Sequence, residues 1–351
     1  MGRLRRLVAR DALELIGETP MIELRTLSRQ TGCRVLAKAE FLNPGGSSKD
    51  RVARAIISEA EASGALREGG TVVEATAGST GISLALACAA RGYKCHLVAP
   101  NDVSQRKVQL ITSLGATLEL VPPAGIADAG HAVNVARRRA AALGPGSIFA
   151  DQFENLANMR AHESGTGVEI WRQAGGRVDA FVMGAGTGGT LAGVSRLLRA
   201  RNPGLLVFLV DPQGSALYHR VQHGVLYSRE QQERTARRHR YDTRMEGVGL
   251  DRLTANFGCA QIDAAFRVTD DEAVAMARRL LAEEGLFVGG SSGMNCVGVL
   301  RVAERLPPGS TIVTVLCDGG ERYIGGLWGG RQPEGGGGAS EKVSMSTYGE
   351  G

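Results

Sequence analysis

No CxxC pair occurs anywhere in the chain: Cys33, Cys88, Cys95, Cys259, Cys296 and Cys317 are scattered along 351 residues. Such spacing offers neither a zinc site nor a disulfide framework, and reduced thiols in an intracellular compartment are the default. Long hydrophobic runs are missing as well. None approaches the roughly 20 apolar residues needed to cross a bilayer. Blocks of like charge are also absent. The net charge is +5, but 41 basic and 36 acidic residues are interspersed, so neither a nucleic-acid arm nor a membrane partner is indicated. Arg3, Arg5, Arg6 and Arg10 give the N-terminus a basic cast, yet fold-like sequence begins by Gly17 and leaves little room for a cleavable transit peptide. The cytoplasm is the expected compartment, with the mitochondrion as the alternative.

What is present is a hydrophobic fraction of 43% and 49 glycines, in a chain long enough for two lobes that each bury a core. Apolar strands alternate with helical periodicity. TVVEAT at 71–76 leads through AGSTG into an apolar helix, Ile82 to Ala90. KCHLVAP, a helix over 103–115 and ATLELVP continue the series, and SIFADQFENLAN at 147–158 closes it. The second half repeats the logic, from VDAFVMGAGTGGTLAG at 178–193 to TIVTVLCDGG at 311–320. This alternation predicts mostly parallel sheets with helices on both faces. The expected division is an N-terminal segment 1–50 packing on the larger lobe, a smaller α/β lobe 51–158, a larger α/β lobe 159–328, and a disordered tail 329–351 without periodicity.

FLNPGGSSKDRV at 41–52 is the stretch the rest serves. Asn43, Pro44, Gly45 and Gly46 demand a sharply bent loop, and a helix-compatible run follows from Arg51. One lysine, Lys49, therefore sits at a loop-to-helix junction. Such a lysine is either a solvated charge or an amine tuned to attack a carbonyl as a Schiff base. The loop GAGTGGT, Gly184 to Thr190, poses a second choice. With Asp211 closing the next strand it partly matches a dinucleotide fingerprint, but glycine-rich strand-to-helix turns bind many phosphates. A tight turn that binds nothing is the third option.

Taken together, NPGGSSKDRVA, EATAGSTGISLA, GAGTGGTLAG, GGSSGMN and CDGGERY, in that order over residues 15–328, resemble the cysteine synthase and cystathionine β-synthase family, in its cysteine synthase 2-like branch. The resemblance implies an α/β enzyme of fold type II, with two doubly wound three-layer lobes and pyridoxal 5'-phosphate in the cleft between them. It implies that Lys49 holds the cofactor and moves a substrate proton, for which the amine must be neutral. Gly186, Thr187, Gly188, Gly189 and Thr190 would cup the phosphate. Ser79, Gly247 and Gly319 would lie beside the ring. Thr76, Ala77, Gly78, Thr80 and Gln152 would hold the carboxylate of an amino-acid substrate. No metal is implied, and a homodimer is. The implied reaction is β-replacement, forming cysteine from an activated, O-acetylserine-like serine and sulfide. The alternatives are β-elimination, as a cysteine desulfhydrase or a serine/threonine dehydratase, and a degenerate paralogue that only binds the cofactor.

Three positions depart from the family pattern. Ser79 stands where many members have an asparagine amide. Ala77 lacks a hydroxyl often found there. Gly319 stands where a serine hydroxyl is expected opposite the pyridine nitrogen, leaving water or Asp318 to take its place.

Overall fold

The computed structural model describes residues 8–227 and 243–329. The predicted tail from 330 onward lies outside them. Ten strands arise among the described residues: β1 (Met21–Glu23), β2 (Arg34–Ala39), β3 (Thr71–Ala75), β4 (Lys94–Pro100), β5 (Thr117–Val121), β6 (Ile148–Phe149), β7 (Ala180–Gly184), β8 (Leu206–Pro212), β9 (Ala264–Val268) and β10 (Thr311–Leu316). They form a six-stranded sheet of order β1-β2-β10-β7-β8-β9 and a four-stranded sheet of order β5-β4-β3-β6. Every pairing is parallel except β1 with β2. The fold is the expected one, two mostly parallel α/β layers of fold type II.

Period-two alternation explains why both faces of each sheet are covered. On β7, Val182 enters one core with Phe208 and Val299, while Phe181 and Met183 enter another with Leu191 and Leu198. On β3, Val72 packs with Ile56 and Leu84, whereas Val73 packs with Val98 and Ala136. All six residues of β10 are buried, which is how a central parallel strand reads in sequence.

Parallel strands share a direction, so the loops leaving their C-terminal ends gather along one edge, where ligands bind in open α/β sheets. Here those loops are 76–78 after β3, 150–153 after β6, 185–188 after β7 and 317–319 after β10. The lysine loop leaves β2 on the same edge, because β2 is parallel to β10. It is tied there: Ser48 N donates to Cys317 O at 3.0 Å, and Ser47 bridges Asp318. The helix carrying the lysine runs Lys49–Ala62, starting two residues earlier than its apolar periodicity suggests, and the helix after β3 runs Ser79–Arg91 rather than from Ile82. Ser79 and Thr80 thus belong to a first helical turn.

Candidate active site

A cavity of about 300 Å³ lies where these loops converge. Lys49 lines it, half-buried, and among the described residues no hydrogen bond or ion pair engages its Nζ. Its charge is close enough to act on His162, Cys317 and Asp318. The other described lysines are placed differently. Lys38 is fully buried and paired with Glu169 at 2.7 Å, Lys107 pairs with Glu246 at 2.7 Å, and Lys94 is exposed on a strand. Ser47 Oγ accepts from Lys49 N at 3.2 Å and so caps the helix start; Asp50 accepts from Gly45 N and Ser83 Oγ, each at 2.5 Å, fixing the loop that presents the amine.

Opposite stands the loop after β7. An added Cβ at Gly186 would lie 2.1 Å from Gly247 O, and one at Gly189 2.0 Å from Asn158 Oδ1. The backbone can approach its neighbours only without side chains. Asn158 Nδ2 donates to Thr187 Oγ1 at 2.8 Å, which leaves the Thr187 proton for an acceptor in the cavity. Thr190 Oγ1 sits 3.1 Å from His162 Nε2, whose Nδ1 lies 2.9 Å from Thr166 Oγ1. Burial, reinforced by the nearby charge of Arg51 and Lys49, pushes the His162 pKa well down, so the ring is neutral. With its proton on Nε2, it would free the Thr190 hydroxyl to donate forward. Hydroxyl and backbone donors converging at a helix start, without an intruding Cβ, fit a phosphate dianion.

The third wall is built from the helix start after β3. Thr76, Gly78, Ser79 and Thr80 line the cavity together with Gln152. Thr80 Oγ1 donates to Gln152 Oε1 at 2.5 Å, which orients the Gln152 amide, whose side chain also donates toward the Glu74 carboxylate. Glu74 lies behind, fully buried. Burial lifts its pKa to about 7, against backbone donation from Gln152 and Ala75 that pulls it down. An acid raised in the folded state costs stability once ionised, so this group makes the fold less stable as pH rises from its ordinary 4.5 to about 7. In Glu74→Gln that slope should vanish; urea midpoints that fall equally over the window in both proteins would refute the placement.

The family described as "Pyridoxal-phosphate dependent enzyme" matches residues 12–318. The chain belongs to that pyridoxal-phosphate family. Cysteine synthase 2 of Schizosaccharomyces pombe is 51% identical over 324 residues, 90% of this chain and 82% of that protein. A cysteine synthase of Dictyostelium discoideum is 48% identical over 325 residues, 92% and 84% of the two chains. The crystal structure of O-ureido-L-serine synthase superposes with a TM-score of 0.80 at 34% identity, over 93% of this chain and 98% of that one. Pyridoxal phosphate is therefore the cofactor, and the donor cradle and unpartnered amine are what it requires.

Within this pyridoxal-phosphate enzyme, three expected site residues fall outside the cavity. Ala77 faces a larger outer chamber of about 1330 Å³ that shares Gly78, Ser79, Glu246 and Tyr323 with the inner one. Gly189 contributes its place at the helix start, packed on Asn158. Gly319 does not line the cavity either: its Cβ would point at the Glu321 carboxylate, 2.1 Å from Oε2, and its backbone bridges Val288. A serine there would meet Glu321 rather than a ring. The hydroxyl that does line this wall is that of Ser291, beside Cys317 and Asp318. Ser291 went unassigned in sequence although GGSSGMN was noticed; a serine pair opening a helix was the available signal. Asp318 does line the cavity, but its Oδ2 accepts from Tyr323 Oη at 2.6 Å. Asp211, the acid of the dinucleotide alternative, is fully buried outside the cavity and accepts from Tyr218 N at 2.7 Å, so it is not presented to a ribose.

Gly188 lines the cavity, but its α-carbon substituent would not. The φ is +86°, and a Cβ would press on the Phe257 backbone at 2.5 Å. An aspartate at 188 would thus act by strain and collision before charge. Forcing a non-glycine residue into this conformation costs about 1–3 kcal/mol. Gly188→Ala is expected to lower cofactor affinity nearly as much as Gly188→Asp in an absorbance titration; an alanine variant that binds normally would show that strain is not the cause.

Proposed function

We propose that this pyridoxal-phosphate enzyme forms L-cysteine by β-replacement, from an O-acetylserine-like activated serine and sulfide. The reading rests on one observation: an unpartnered lysine amine faces a phosphate-type cradle across a cavity, in a chain whose relatives over nine-tenths of its length are named cysteine synthases. The bound cofactor supplies an electron sink that acidifies Cα and loosens the β-substituent. Lys49 holds it and, when displaced by the amino acid, takes the Cα proton. Thr187 and Thr190 donate to the phosphate alongside the backbone of Gly186, Gly188 and Gly189. Thr76, Gly78, Ser79, Thr80 and Gln152 receive the substrate carboxylate, and Gly247, whose φ is +74°, keeps the wall beside the ring free of a side chain. Ser291 takes the place beside the ring that Gly319 cannot fill.

We assign the lobes as 51–158 and 159–328; of the segment before them, β1 and β2 complete the larger sheet, whereas Leu13 and Ile16 pack into the core of the smaller one. The assembly is proposed as a homodimer working in the cytoplasm, a compartment compatible with the free state of all six cysteines. No helix among the described residues is long and apolar enough to cross a membrane. The deciding test incubates cofactor-loaded protein with O-acetyl-L-serine and sulfide. Cysteine is expected; pyruvate without cysteine would instead establish β-elimination, and a visible band that answers no amino acid would establish a binding protein. Sedimentation gives the oligomeric state, and fractionation of cells gives the compartment.

A further inference from the structure

The motif CDGGERY contains an arginine to which the reaction above gives no task. Arg322 lies in a short 3-10 turn, Gly320–Tyr323, after β10. From there it reaches across the cleft. Its Nη1 donates to Ser79 Oγ at 2.7 Å, and its Nη2 donates to the carbonyl of Gly45 in the lysine loop. Gly46 makes room, since a Cβ there would lie 3.1 Å from Nη2. Among the described residues Arg322 forms no ion pair, although Asp50 and Asp318 are near enough to feel its charge. Both of its acceptors are neutral oxygens.

A guanidinium can only donate. Ser79 Oγ must therefore be the acceptor in this bond, and its own proton is left for another partner. Ser79 borders both the inner cavity and the outer chamber, at the start of the helix whose first turn carries Thr80. A hydroxyl that accepts from a cation is also the more polarised donor. We propose that Arg322 is a positioning residue: by donating to Ser79 from across the cleft, it turns the Ser79 hydroxyl into the cavity as a donor to the carboxylate of the amino-acid substrate. The inference rests on the assignment of the loop 76–80 to the substrate carboxylate.

The experiment titrates the visible absorbance of cofactor-loaded protein with L-serine, O-acetyl-L-serine and ethanolamine, the last lacking the carboxylate. Arg322→Gln and Ser79→Ala should each weaken both amino acids about tenfold, the size of one lost charge-assisted hydrogen bond, and Arg322→Gln should do so with cofactor content and ethanolamine binding unchanged. The double variant should be no weaker than either single one, because both remove the same donor. Arg322→Lys, which keeps the charge but not the two-pronged reach, should fall between. Multiplicative losses in the double variant would overturn the proposal. So would equal losses for ethanolamine, or reduced cofactor content without loss of amino-acid affinity, both of which describe a merely structural tie. A wild-type response to L-serine but not to O-acetyl-L-serine would overturn the donor assigned above and leave the pair standing; a response to neither would overturn both.

Discussion

Lys49→Ala will leave a folded protein that has lost the covalently held cofactor band and several orders of magnitude of turnover, as removal of a residue that acts in concert with others does. The amine is the one described lysine that lines the cavity, and no neighbour is hydrogen-bonded to it. No hydrogen bond or ion pair of the fold is lost with it, so the unfolding free energy of the cofactor-free form should fall by about 1 kcal/mol or less. Borohydride reduction and peptide mapping of the wild type should place the cofactor on this residue. Label found on Lys38 or Lys107 would sink the assignment, and their ion pairs with Glu169 and Glu246 make that outcome a strong test.

Two residues further along, Arg51 offers the largest stability effect. Its guanidinium is almost fully buried and grips two carboxylates at once: Glu40 through Nε and Nη2 at 2.7 and 2.8 Å, and Glu169 through Nη1 and Nη2 at 2.7 Å each. Lys38 completes a neutral set of two cations and two anions. Removing one partner from a buried network strands the others, which costs about 3–5 kcal/mol. Arg51→Ala should lower the unfolding free energy measured by urea denaturation by that amount, and Arg51→Lys should recover only part because a point charge cannot serve both forks. The pH response follows. Burial alone would raise the Glu169 pKa, but Arg51 and Lys38 outweigh it and hold it down to about 2. A depressed carboxylate contributes stability that is present above its ordinary 4.5 and is lost as pH falls toward about 2. In Arg51→Ala acid unfolding should begin at a higher pH; an unchanged acid midpoint would show that Glu169 draws its stabilisation from elsewhere.

Much of this architecture was legible because local signals and global role agree. Apolar β-branched runs ended in glycine loops, and those loops came to one edge once the strands were parallel. Lys49 stood out by its junction, Thr187 and Gly188 by the family resemblance of their loop, and all three line the cavity. What remained hidden depended on contacts distant in sequence. β9 (AAFRV) is only partly buried and reads as neither a clean alternation nor an apolar run. His162 and Asn158 support the phosphate cradle from a helix with no motif of its own. Gly319 was expected at the cavity and does not line it, because a one-dimensional match cannot tell which of two neighbouring loops turns its side chains inward; Ser291 lines that wall instead. Arg322 was quoted in a motif without a task, since its partners Gly45 and Ser79 lie 277 and 243 residues away.

The helix that begins at Lys49 packs Val52, Ala53, Ile56 and Ile57 into the core of the smaller sheet, while the loop before it is stitched to the residues after β10 in the larger one. The Lys49 amine thus stands where the two bodies are joined. On the rim of the outer chamber two further contacts cross between the same two bodies: Arg106 Nη2 donates to Glu321 O at 3.2 Å, and Lys107 pairs with Glu246 at 2.7 Å.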